Sequence, residues 1–201
     1  VDRQELMARI RTQLRRKRYN DCLRESVQNT IELAVRDPLT GLHNRRYMEH
    51  HFASVFEKSQ RQAQSLSAII CDIDHFKSIN DGYGHDVGDK VIQEVAKRIR
   101  KSIRDADTAC RFGGEEFVVL MPDTDVHLAT TTAERIRRRV SDHPIFLEHG
   151  AMKFSVTISV GVASLEQDNA DDSPKTLFKR ADTALYQAKN AGRNLVVTEA
   201  A

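Results

Sequence analysis

The chain has little that would hold a metal through sulfur, cross a membrane or attract nucleic acid in bulk. Its three cysteines, Cys22, Cys71 and Cys110, form no CxxC pair and show no metal-ligand spacing with histidines. A sparse, odd count suits reduced thiols in a cytoplasm rather than a disulfide framework. No apolar run approaches the ~18–20 residues that a membrane span needs, and no signal-peptide pattern opens the chain. Lys and Arg number 31 against 29 Asp and Glu, and a formal net charge of +2 does not describe a general nucleic-acid binder. Any polyanion would have to be met by a local site. GxxxxGK[ST] is absent, so this is not a P-loop protein, and no GxGxxG opens a helix after a strand. Internal repeats and low-complexity tracts are absent too. The start at Val1 rather than Met leads to the expectation of a piece of a longer protein.

What is present is ordinary in bulk and unusual in one place. At 201 residues, 40% hydrophobic and 30% charged, the chain fits one full domain plus an appendage with a real core. The unusual place is Arg111-Phe112-Gly113-Gly114-Glu115-Glu116-Phe117. It stands between the short Thr108–Cys110 run and Val118-Val119-Leu120-Met121, and reads as a hairpin whose paired glycines supply the positive-φ positions of a tight turn. Adjacent carboxylates at its tip repel unless a cation or a proton-transfer task holds them there. Taken alone, the stretch fits a plain acidic turn as well as a site.

Around it the chain divides. Residues 1–36 are rich in charge and free of glycine and proline, with Leu6, Ile10, Leu14, Leu23, Val27, Ile31 and Ala34 at helical steps. They read as a helical stalk, with Arg15-Arg16-Lys17-Arg18 as a solvated face. Pro38 disfavours helix at Asp37, so a boundary falls there, and residues 37–198 form the second domain. In it the pattern predicts a helix from Arg45 to about Ala63 and a buried strand over Leu66–Ile73. One helical turn over His75–Asn80, a glycine-punctuated loop over Asp81–Asp89 and a helix over Lys90–Ile103 follow. After the hairpin come a helix over about Val126–Val140, a strand over Phe154–Ala163 and a helix running from Pro174 to a stop at Gly192. A last strand spans Asn194–Thr198. Mixed helices and strands around a central hairpin give an α/β sheet covered by helices.

Asp72 and Asp74 at the end of one strand, with Glu115 and Glu116 at the hairpin tip, are four candidate oxygen ligands. Spaced two apart, the aspartates should share a strand face. Carboxylates without histidine or cysteine companions favour a hard cation such as Mg²⁺, which leaves room for substrate phosphates. Lys77, Lys189 and Arg193 could neutralise a triphosphate, helped by the backbone amides of residues 73–77 if a helix begins there. Arg104 and Asp107 are read either as a local ion pair or as a grip on a phosphate or guanine face.

Five motifs carry a resemblance. Asp37-x-Leu39-Thr40-Gly41-Leu42-x-Asn44-Arg45-Arg46, Asp72-Ile73-Asp74-x-Phe76-Lys77-x-Ile79-Asn80-Asp81, Gly84-His85-x-x-Gly88-Asp89, Arg111-x-Gly113-Gly114-Glu115-Glu116-Phe117 and Ala181-Asp182-x-Ala184-Leu185-Tyr186-x-Ala188-Lys189 occur in order. Together they resemble the GGDEF domain of diguanylate cyclases over residues 37–198. The opening residues resemble the last helix of a receiver domain, as in response-regulator cyclases with receiver modules upstream. The resemblance implies a palm-like, nucleotide cyclase-related fold with a central, mainly antiparallel sheet flanked by helices. It implies a nucleotidyltransferase that condenses two GTP into cyclic di-GMP and two pyrophosphates across a homodimer, with Mg²⁺ or Mn²⁺, two per half-site.

Carried over, Asp72, the Ile73 carbonyl, Glu115 and Glu116 are the metal ligands. Glu116, Glu115 and Lys77 form the catalytic set, Glu116 being the candidate base or metal ligand for the 3′-hydroxyl. Asn80 and Asp89 read guanine, Phe76 and His75 line its pocket, and Lys189 and Arg193 meet phosphates. Arg104, Asp107 and Arg135 form an inhibitory site for the product. His75 stands where some members have an aromatic residue. The alternative to an active, product-inhibited cyclase is a catalytically silent cyclic di-GMP receptor or dimerisation module working through the stalk.

Overall fold

The computed structural model describes residues 13, 15–20, 23, 32, 34–147, 152–167, 169 and 171–199. Backbone contacts divide the chain into two compact units, Val1–Arg36 and Asp37–Ala201. In the first, residues 15–20 are helical and exposed, and Leu23 is exposed as well. The stalk positions Leu6, Ile10, Leu14, Val27 and Ile31 lie outside the described residues. Among the described residues no helix is long and apolar enough to cross a membrane.

The second unit runs β1 (His43–Asn44), α1 (Arg45–Arg61), β2 (Leu66–Ile73), α2 (Phe76–Tyr83), α3 (His85–Arg100), β3 (Thr108–Gly113) and β4 (Glu116–Pro122). It continues through α4 (Val126–Ser141), β5 (Ile145–Leu147), β6 (Met152–Phe154), β7 (Ile158–Ser164), α5 (Pro174–Asn190) and β8 (Val196–Thr198). Six strands form one sheet in the order β1-β3-β4-β2-β7-β8. Its three inner pairings are antiparallel, and the two edge pairings, β1 with β3 and β7 with β8, are parallel. The sheet is therefore mixed and mainly antiparallel at its centre, as expected.

Every residue of β2 is buried, because helices cover both faces. Leu66, Ala68 and Ile70 pack with Met48, Phe52 and Phe56 of α1 and with Leu177, Ala181 and Leu185 of α5. Ile69, Cys71 and Ile73 pack with Val91, Ile92 and Val95 of α3 and with Ala129, Ala133 and Ile136 of α4. Strand alternation thus sends Asp72, next in the Leu66–Ala68–Ile70 series, to the α5 face. Gly161 of β7 lets α5 sit directly on the sheet: a Cβ there would meet the Ala181 carbonyl at 2.1 Å and the Leu185 amide at 2.3 Å.

Two expectations change, and one element is new. The Asp81–Asp89 loop is mostly helix, since α2 runs to Tyr83 and α3 starts at His85; only Gly84, at φ 85°, breaks the path. The strand predicted over Phe154–Ala163 is divided between two sheets, Phe154 closing β6 and Ile158 opening β7. The small β5–β6 hairpin, missed in the sequence, pairs Ile145 with Phe154. Its strands are three residues each, too short to show a period.

Candidate active site

The pairing of β2 with β4 sets Asp72 directly opposite Glu116, both on the α5 face. From α5, Lys189 reaches in with its Nζ 2.8 Å from Asp72 Oδ2. Glu115 occupies the hairpin turn, and its carbonyl accepts from the Ile73 amide at 3.3 Å, closing the tip onto the end of β2. Only one of the paired glycines uses the left-handed region, Gly114 at φ 47°. A cavity of about 250 Å³ opens beside this group, lined by Glu116, Asp182, Thr183, Leu185, Tyr186 and Lys189.

The electrostatics of Asp72 record competing demands. Burial pushes its carboxyl above the ordinary range; Lys189 pulls it down, and the nearby charges of Glu115 and Glu116 push it up again. Three carboxylates against one ammonium leave a local excess of negative charge beside an open cavity, a donor set that suits a hard divalent cation. Among the described residues no three His, Cys, Asp or Glu side chains gather into a ready-made metal cluster. Other ligands to such a cation would come from phosphate oxygens.

Asp74 corrects the four-ligand expectation. The strand ends at Ile73, and the Asp74 carboxylate turns instead to Thr157 Oγ1 at 2.7 Å, Ser159 Oγ at 2.6 Å and the Asn194 amide at 3.0 Å. The expected amide cradle over residues 73–77 also changes. The Ile73 amide is taken by Glu115 and the Asp74 amide by the Thr157 carbonyl at 3.0 Å.

Asn80 and Asp89, expected to read guanine, sit on consecutive helices. Asn80 on α2 has its Oδ1 buried with no hydrogen-bond partner, a costly state for a protein acceptor unless a ligand supplies the donor. That oxygen occupies the space beside Gly88 of α3, where a Cβ would stand 2.0 Å from it and 3.0 Å from Phe76 Cζ. Asp89, His75 and Lys77 are exposed, Phe76 is buried, and His75 has φ 56°. Arg193 is exposed in the turn after α5.

Arg104 and Asp107 lie apart from this group, on the approach to β3. The Arg104 guanidinium meets Asp107 Oδ1 at 3.0 Å, Thr124 Oγ1 at 2.6 Å and the Pro122 carbonyl at 3.3 Å. Its pKa is raised, chiefly by the hydrogen bond to Asp107. Arg135 donates to the Ser102 carbonyl through Nε at 3.0 Å and Nη2 at 2.7 Å.

Two connections had no signal in the sequence. Arg111 donates to the Gly114 carbonyl at 2.9 Å and pairs with Asp37 at 3.4 Å, tying the hairpin tip to the first residue of the second unit. Asp37 also accepts from the Thr40 amide and hydroxyl, so the Asp37–Leu42 motif is a folded turn held by its own acid. Thiol chemistry finds no support at the two described cysteines, since burial raises both, Cys110 to about 12; Cys22 lies outside the described residues.

A family model described as "Diguanylate cyclase, GGDEF domain" matches residues 34–195. The response regulator PleD of Caulobacter vibrioides is 50% identical over 201 residues, covering 100% of this chain and 44% of that protein. Diguanylate cyclase A of Treponema denticola is 43% identical over 171 residues, covering 83% of this chain and again 44% of the relative. The chain thus spans less than half the length of these relatives. Among solved structures, the coiled coil and GGDEF domain of DgcB from Caulobacter crescentus in complex with c-di-GMP superposes with a TM-score of 0.85 at 30% identity, covering 96% of this chain and 98% of that one. The active GGEEF domain of a diguanylate cyclase from Vibrio cholerae gives 0.72 at 38% identity, covering 79% of this chain and 97% of that one.

Proposed function

The chain belongs to the diguanylate cyclase GGDEF-domain family, and from that premise we propose that it condenses two GTP into cyclic di-GMP, releasing two pyrophosphates, across two facing copies of the domain. The observation that carries this reading is Asp72 set opposite Glu116 with Lys189 Nζ 2.8 Å away, at the edge of an open cavity.

In this reading Lys189, Arg193 and Lys77 meet the triphosphate. Lys189 leaves Asp72 for phosphate oxygens as the nucleotide enters, which exchanges one ion pair for another. Asn80 Oδ1 accepts from the guanine edge, and so satisfies an oxygen that the protein leaves without a donor. Asp89 accepts a second guanine N–H; Phe76 and His75 border the base. Asp72, Glu115, Glu116 and the Ile73 carbonyl would hold Mg²⁺ or Mn²⁺, two per half-site. Bound there, the metal would supply charge neutralisation at the phosphates and would make the attacking hydroxyl easier to deprotonate. Glu116 is read as the acceptor of the 3′-hydroxyl proton. One domain offers one half-site, so the 3′-hydroxyl of one GTP meets the α-phosphate of the other only when two domains face each other. Arg104, Asp107 and Arg135 would bind product and slow the enzyme.

GTP, product and a second copy of the chain are the partners in this reading, with an upstream receiver module as the resemblance to response-regulator cyclases implies, and no nucleic-acid polymer. The reading is tested by Glu116→Ala beside the parent, with GTP and Mg²⁺ and chromatographic resolution of nucleotides. Product only in the parent is the expected result; equal turnover in both removes Glu116 from the mechanism.

A further inference from the structure

We propose that Asp74 is a positioning residue that locks the turn carrying Arg193 onto the strand carrying Asp72, and so sets the phosphate side of the site. The inference rests on the reading above, in which Lys189 and Arg193 meet the nucleotide's phosphates.

Asp74 is buried, at 5% exposure, and both of its carboxylate oxygens are already hydrogen-bonded. Oδ1 accepts from Ser159 Oγ at 2.6 Å, and Oδ2 from Thr157 Oγ1 at 2.7 Å and the Asn194 amide at 3.0 Å. All three donors belong to the protein, which is the arrangement of a brace and not of a metal ligand.

What it braces is unusual backbone. Immediately after α5, Gly192, Arg193 and Asn194 stand in a row at φ 113°, 62° and 48°. Glycine tolerates the left-handed region, whereas arginine does not favour it, and such runs persist only where surroundings over-determine them. Three contacts do so here. The Arg193 amide returns to the Ala188 carbonyl at 3.1 Å, which closes the end of α5 on itself. Arg137 of α4 donates to Asn194 Oδ1 at 2.8 Å. The Asn194 amide donates to Asp74, and of the three contacts this one alone reaches the β2 segment on which Asp72 sits. The other polar link between the end of α5 and the strand end is the Lys189–Asp72 pair at 2.8 Å, which the nucleotide is read as breaking.

The experiment compares Asp74→Ala and Asp74→Asn in the full chain, each with and without Arg193→Ala. KM and kcat for GTP with Mg²⁺ are measured, together with a thermal melt. Asp74→Ala is expected to raise KM about tenfold, the size of one well-made hydrogen bond lost, with kcat within about threefold of the parent. In the Arg193→Ala background the same substitution should add less than about twofold, because the group being positioned is gone. Asp74→Asn should stay within about threefold of the parent. Its carboxamide oxygen can accept from Thr157 and Asn194 while its NH₂ donates to Ser159 Oγ.

Two results overturn the proposal: full additivity of Asp74→Ala with Arg193→Ala, or a kcat loss of about a hundredfold in Asp74→Asn at unchanged KM, the pattern of a lost metal ligand. Should Asp74→Ala fail to fold, Asp74→Asn decides the matter on the same criteria. A parent chain that neither binds nor converts GTP counts against the cyclase reading itself, and the inference falls with it.

Discussion

At the scale of single residues, the site is made of groups held in states a core would not choose. Asp72 is the clearest. Burial, and then Glu115 and Glu116, hold its carboxyl above the ordinary range despite Lys189. The folded chain therefore binds the Asp72 proton more tightly than the unfolded chain does. By linkage, stability falls as pH rises from the ordinary carboxylate value through the raised one, and the loss is complete above it. Asp72→Asn removes this dependence. Its unfolding midpoint should be at or above the parent's at pH 7, and the difference should shrink as pH is lowered through that window, while turnover falls about a hundredfold or more. A difference between variant and parent that widens as pH is lowered through the window would contradict the assignment. Gly88 makes the second residue-scale case. Alanine there places a Cβ 2.0 Å from Asn80 Oδ1 and must displace the carboxamide. Binding of a non-hydrolysable GTP analogue should weaken about tenfold or more, with preference over the inosine analogue, which lacks the exocyclic amine, much reduced. Unchanged preference would show that Asn80 does not read the base. None of this was legible in the residue pattern, which names Gly88 and Asn80 within motifs without revealing that one vacates space for the other.

At the scale of elements, α5 is the part whose placement the chemistry depends on, because Lys189 arrives at Asp72 along it. The capping box formed by Ser173 and Thr176, with Pro174 at the first turn, starts the helix, and Gly161 of β7 sets its distance from the sheet. Gly161→Val should cost about 3 kcal/mol or more, because the clash is with helix backbone that no rotamer change relieves. Denaturant unfolding would measure it, and an unchanged midpoint would mean that α5 packs otherwise than described. The long elements were legible in the sequence: α1, α4 and α5 each carry a periodic apolar run, and β2 a continuous one, that packing then uses. What was not legible came from local backbone. Gly82 and Gly88 read as loop punctuation but sit inside helices, because only Gly84 needs a positive φ. Asp74 read as Asp72's companion on one strand face, but the strand stops between them, and hydroxyls from Thr157 and Ser159, distant in sequence, claim it.

At the scale of the whole molecule, the proposed reaction requires two copies and a separate place for product. Arg104 and Asp107 lie outside the Asp72 group, and the Arg104 side chain is about half exposed while Asp107 beneath it is buried. Arg104→Ala should relieve inhibition by cyclic di-GMP while leaving the initial rate within about threefold, since it touches nothing in the half-site. Progress curves that still stall would place the inhibitory contact elsewhere. The most direct measurement of the central claim is the initial rate of cyclic di-GMP formation from GTP and Mg²⁺ as the purified chain is diluted, with Asp72→Asn as control. The expected result is two pyrophosphates per cyclic di-GMP, a rate per chain that falls on dilution into monomers, and about a hundredfold less product, or less still, from Asp72→Asn. Linear, GTP-only products, or a rate per chain indifferent to dilution across the monomer range, would contradict it.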